Sequence, residues 1–112
     1  MPRPYRPARE LEHHLDRGEL DFAIAIARGI ARERRRPLEL DVVVRFLPLI
    51  ATHRPEEFDV WALRWLERWC EELRGRASID DGVEVVKALA AIPVEAEQAL
   101  TTLRRLASPA AS

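Results

Sequence analysis

The sequence predicts an all-α protein of about six antiparallel helices, either α-solenoid-like or closed into a compact bundle. Three observations lead there. Apolar residues recur at three- and four-residue spacing through most of the chain. Gly18, Pro37, Pro55, Gly75 and Pro93 punctuate these runs at helix-length intervals. Trp61, Trp65 and Trp69 fall every four residues, on one face of a helix. With 112 residues, 47% apolar and 33% charged, the chain is large enough for one core without disulfides or metals. The expected organisation is an extended arm over 1–7, a single helical domain over 8–107, and a flexible tail over 108–112.

The elements follow in order. Three prolines within residues 1–7 favour an extended arm. Residues 8–17 read as a short helix with Leu11 and Leu15 inward, broken by Gly18. Residues 19–36 carry Leu20, Ala23, Ile24, Ala27, Ile30 and Ala31 on one side, widened by Phe22 and Ile26, and Pro37 stops them. Residues 38–53 hold a Val42-Val43-Val44 run with strand propensity. Asp41, Arg45, Pro48 and Thr52 nevertheless collect on one narrow helical stripe, so a largely buried helix kinked near Pro48 is expected.

Pro55, followed by Glu56 and Glu57, opens the tryptophan helix, which runs to about Leu73. Ser78 with Asp81 three residues later resembles a capping box. The helix after it is expected to point Val83, Val86, Leu89 and Ala90 inward. Pro93 should open the last helix, with Ala96, Ala99, Leu100, Leu103 and Leu106 on one face.

Helix starts near Gly18, Pro55 and Pro93 are almost evenly spaced, as in stacked helix pairs. The stretch Leu15-Asp16-Arg17-Gly18-Glu19-Leu20-Asp21-Phe22-Ala23 resembles the middle of a tetratricopeptide hairpin, with Gly18 in the turn and Ala23 where helices touch. The sequence departs from that family at Leu20 and Ala27, where aromatic residues are usual, and at Ile30, where a small one is. Its period is also longer. The resemblance covers one hairpin of three and implies a peptide- or protein-binding scaffold.

Charge follows helix ends. Acids open helices at Glu19, Asp21, Glu56, Glu57, Asp59, Asp80, Asp81, Glu95 and Glu97. Arginines close them at Arg32, Arg34, Arg35, Arg36, Arg74, Arg76, Arg104 and Arg105. Helix dipoles account for this pattern without a ligand. If the helices alternate direction, Arg34, Arg35, Arg36, Arg74, Arg76, Arg104 and Arg105 share one pole that could meet an acidic partner or phosphates. The net charge of −1 gives no global field for nucleic acid or membranes.

Chemistry-bearing constellations are few. Trp65 and Trp69 are core candidates. Trp61, at the edge of the apolar arc beside Arg64 and Arg68, is a candidate contact anchor. His13 and His14 point about 100° apart on a helix, too far to share one ion, and Glu10 with His14 gives only two ligands. Cys70 is the single cysteine, so no internal disulfide forms and a reducing compartment fits best. It is expected to be a small buried hydrophobe. The four glycines are isolated, so no phosphate-cradling loop exists. No leader or membrane-spanning run is present in this sequence.

These features point to a cytoplasmic, non-catalytic protein–protein interaction module with no cofactor or metal. It would be an adaptor or small subunit of a larger assembly, binding another protein or a second copy through helix grooves or charged poles. Seventeen arginines against Lys87 alone, and no asparagine, fit a GC-rich bacterial genome. The alternative is a small helical subunit of a nucleoprotein complex, contacting phosphates through the arginine pole with Arg3 and Arg6.

Overall fold

The computed structural model describes residues 7–107. The tail 108–112 and the arm, apart from Pro7, lie outside the described residues. Those described form only helices and turns, with no strand. Their contacts fall into two units that divide between Leu38 and Glu39.

The first unit is a hairpin of α1 (Pro7–Asp16) and α2 (Leu20–Arg34). Its turn ends α1 with two specific bonds. The Gly18 N–H donates to the Leu15 carbonyl at 3.1 Å, and the Glu19 N–H to the His14 carbonyl at 2.9 Å. This Schellman pairing needs a left-handed residue, and Gly18 supplies it with φ of 70°. The same closure ends α2, where the Arg36 N–H reaches the Ala31 carbonyl at 3.2 Å. There the left-handed position is held by Arg35, with φ of 57°, at a cost of about 1 kcal/mol.

Leu11 and Leu15 of α1 and Leu20, Ala23, Ile24 and Ile30 of α2 are buried, as the periodicity predicts. Phe22 is not. It is 62% exposed, because two residues from Leu20 is the far flank of α2. Its ring stacks on His14, with centroids 5.2 Å apart. The His14 Nδ1 lies 2.9 Å from Glu19 Oε1, and Arg17 Nε lies 3.5 Å from the same oxygen. The hydrogen bond from His14 holds the Glu19 carboxyl below its ordinary value of 4.5 against the opposing effect of desolvation, and the charge of Arg17 adds to it.

The second unit begins with one helical run made of α3 (Leu40–Val43), a 3-10 turn (Val44–Phe46) and α4 (Leu47–His53). The tightening lies just before Pro48, near which the sequence leads one to expect a kink. Pro48 has no N–H to return to the Val44 carbonyl four residues earlier. That carbonyl instead accepts from the Leu47 N–H, a 3-10 bond. A second 3-10 turn (Pro55–Glu57) leads into α5 (Phe58–Glu72). α6 (Ile79–Ala91) and α7 (Ala96–Ala107) follow.

Trp65 and Trp69 sit at the centre of this unit, almost fully buried with Val44, Phe46, Leu47, Ile50, Val85, Ile92 and Leu103. Both indole N–H groups find backbone carbonyls on other helices. Trp65 Nε1 donates to Leu40 O at 2.9 Å, and Trp69 Nε1 donates to Leu106 O at 3.1 Å. The Leu106 carbonyl lies in the last described turn of α7. The two tryptophans therefore tie α5 to the start of α3 and to the end of α7.

The capping box forms as predicted. Ser78 Oγ accepts from the Asp81 N–H at 3.1 Å, and Asp81 Oδ2 accepts from the Ser78 N–H at 3.0 Å. The inward face of α6 differs from the prediction. Val85, Ala88 and Leu89 are buried, whereas Val83, Val86 and Ala90 are exposed. The row 85, 88, 89 continues into Ile92, also buried, and so spans the full length of the core. The last helix starts three residues later than expected. Residues 92–94 make a turn in which the Val94 and Glu95 N–H groups both donate to the Ala91 carbonyl.

Two measurements test this packing. Trp65→Phe should lower unfolding free energy by about 1–3 kcal/mol through a smaller side chain and a lost bond to Leu40. Trp61→Phe should cost clearly less, as read by urea unfolding followed with circular dichroism. The second concerns acid. Because the folded Glu19 carboxyl titrates below its unfolded value, its contribution is complete above 4.5 and is lost as pH falls below that. The stability advantage of the natural chain over Glu19→Gln should be present at about pH 5.5 and shrink progressively as the pH is lowered below 4.5.

Candidate functional site

Helix α5 carries two different surfaces. On one flank Trp61, Arg64 and Arg68 follow each other at three- and four-residue spacing. Trp61 is half-buried, and its ring stacks on the buried Phe46 with centroids 6.2 Å apart. Arg68 is held on its own helix, its Nε and Nη2 lying 2.9 and 2.8 Å from Glu72 Oε2. Arg64 is exposed. The candidate contact residues thus share one flank, with one of the two guanidinium groups already paired.

The other flank faces α6 and forms a groove of about 280 Å³. Phe58, Ala62, Leu63 and Leu66 line it from α5, and Val86, Leu89 and Ala90 from α6. Asp59 is the one charged residue in its wall. Beyond the groove the apolar surface continues along α6. Ile79 is 87% exposed, Val83 47% and Val86 52%. With exposed Ala90 they form a row at spacings of four, three and four residues. A soluble helix ordinarily gives solvent its polar side, and a contiguous apolar surface marks an interaction site.

The sequence holds a signal for this groove that the inward assignment of Val83 and Val86 hides. α6 has two apolar rows of helical spacing, 79-83-86-90 and 85-88-89-92. One layer of neighbours cannot bury both. The core takes the second row, and the first remains open.

The arginines are placed as follows. Arg35 and Arg36 are exposed at the end of α2, and Arg34 is engaged in an interaction. In the second unit the Trp69–Leu106 bond brings the ends of α5 and α7 together, so Arg74, Arg76, Arg104 and Arg105 belong to one end of that unit. Arg105 is paired there, its Nη2 lying 2.6 Å from Glu84 Oε2 on α6. Arg74, Arg76 and Arg104 are exposed and make no ion pair with a described residue. The acidic start of α6 at Asp80 and Asp81 lies one short turn from Arg74 and Arg76 and moderates this end. Arg3 and Arg6 lie outside the described residues.

His14 is committed to its turn, with Glu10 Oε2 3.8 Å from Nε2 and Glu19 on the other nitrogen. Among the described residues no three His, Cys, Asp or Glu side chains converge as a metal would need. Cys70 is exposed, contrary to the buried position expected from its place at the margin of the apolar face. It lies one turn beyond Leu66 on the groove flank, about 100° round the helix from the buried Trp69. Among the described residues no helix is long and apolar enough to cross a membrane.

Comparison of the chain with protein-family models, with curated proteins and with solved structures gives no match. The exposure of Cys70 carries its own prediction. A maleimide probe should label the thiol to one equivalent in the folded protein without denaturant, and labelling that required denaturant would contradict the placement of Cys70.

Proposed function

We propose that the chain is a non-catalytic protein–protein interaction module, an adaptor or small subunit of a larger assembly. It receives a helix, from another protein or from a second copy, in the α5–α6 groove. The observation that carries this reading is the open apolar row Ile79, Val83, Val86 and Ala90 beside Leu63 and Leu66. Grooves between helices take amphipathic helices by anchoring apolar residues at three- and four-residue spacing. Trp61 with Arg64 offers a second, smaller contact on the opposite flank of α5. The tetratricopeptide resemblance of the sequence around Gly18 and Ala23 would belong to the same reading of a binding scaffold. A cytoplasmic, bacterial setting fits the single cysteine and the arginine-rich composition.

The runner-up is contact with the phosphates of a nucleoprotein complex. It is favoured by one observation, the three exposed arginines Arg74, Arg76 and Arg104 that make no ion pair with a described residue.

A capture experiment separates the two. The tagged full chain and its Val86→Asp variant are used on lysate of the source organism, with and without nuclease, and read by quantitative mass spectrometry. The interaction reading predicts protein, or untagged copies of the chain, that survives nuclease and is lost with Val86→Asp. Capture that disappears with nuclease and is indifferent to Val86→Asp would overturn it in favour of the phosphate reading.

A further inference from the structure

Resting on the reading of the chain as an interaction module, we propose that the α5–α6 face is the seam of a homodimer. In this seam α6 packs antiparallel against α6 of a second copy about a two-fold axis. The exposed row Ile79, Val83, Val86, Ala90 has the four-three-four spacing of a coiled-coil seam. In a two-fold antiparallel pair, position 79 faces 90 and position 83 faces 86. Both of these opposed positions are apolar in this chain, so the row is complementary to itself.

Charge selects the same partner. Asp80 and Lys87 flank the row on its α7 side, seven residues apart and therefore on one line of the helix. Both are exposed, and neither makes an ion pair with a described residue. Antiparallel packing sets this flank against the same flank of the second copy, running the opposite way. Asp80 then meets Lys87 of the second copy, and Lys87 meets Asp80 of the second copy. The other flank of the row carries Gly82 and Leu89 on α6 itself, neither of them charged. α5 adds Leu63 and Leu66 beside the seam, with Asp59 and Glu67 at its rim.

Size sets the strength. α6 is 13 residues long, and α5 lies alongside it. A face about 20 Å long and two helices wide is at the low end for a stable interface, for which ~800 Å² per partner is usual. The like charges of Asp59 and Glu67 also oppose a tight contact. The dimer should therefore form in the range of tens of micromolar rather than be obligate.

The test is sedimentation equilibrium of the full chain at increasing concentration, with circular dichroism to verify folding. The natural chain should move from monomer to dimer, and Val86→Asp should remain monomeric. Lys87→Asp alone and Asp80→Lys alone should each weaken the dimer about 5–10-fold, because each turns attractive pairs into repulsive ones. An equimolar mixture of those two variants should recover association as a heterodimer, since all their cross-pairs have opposite sign. That recovery does not depend on the stability of Val86→Asp. A natural chain that stays monomeric at about 200 µM overturns the homodimer. So does a dimer that both charge variants leave unchanged. Neither result touches the capture of a different protein at Val86, so failure of the homodimer is distinct from failure of the interaction reading.

Discussion

Two indole N–H groups hold the second unit together. A tryptophan in a core brings the largest apolar area of any side chain, but it also brings a donor that is costly to bury unpaired. Trp65 and Trp69 meet that requirement by reaching carbonyls on helices distant in sequence, Leu40 on α3 and Leu106 on α7. Each bond constrains position as well as energy. The α5 helix cannot slide or rotate by one residue without stranding both donors, and the Phe46, Ile50 and Leu103 side chains pack in the space this fixes. No buried side-chain nitrogen or oxygen among the described residues lacks a partner. The core is fully apolar except for these two tips.

That constraint decides which face of each neighbouring helix is left outside. With α5 fixed by its tryptophans, α6 meets the core along Val85, Ala88, Leu89 and Ile92. Its second apolar row has nowhere to go in the same chain. The groove is thus a consequence of core packing. The described residues leave no buried side-chain polar atom unpaired yet keep an open apolar surface, which is the condition for binding a helix without losing the fold.

Much of the fold was legible in the sequence because it rests on short-range rules. Gly18, the Ser78–Asp81 box and the spacing of Trp65 and Trp69 each state their role through a few neighbouring residues. The misread positions depend on what packs where. Val83 and Val86 look inward by periodicity, and only the competition with Val85 and Ala88 for the core turns them outward. Cys70 lies at the border of a face whose width is set by neighbours, so periodicity alone does not decide its exposure. The 3-10 turn at Val44–Phe46 lies just before Pro48 because a proline leaves the carbonyl four residues before it without its helical donor. Of the candidate site, Trp61, Arg64 and Arg68 could be placed on one flank from sequence, but the Arg68–Glu72 pair and the stacking of Trp61 on Phe46 required the structure.

Trp65 and Trp69 anchor the second unit, whereas Trp61 does not. The most direct measurement is hydrogen exchange of the three indole N–H groups by NMR. Those of Trp65 and Trp69, buried and bonded to Leu40 and Leu106, should exchange only through unfolding of their unit and share its dependence on denaturant. That of Trp61, half-buried and bonded to no carbonyl of a described residue, should exchange orders of magnitude faster. Fast exchange at Trp65 or Trp69, or equal protection at all three, would contradict the account.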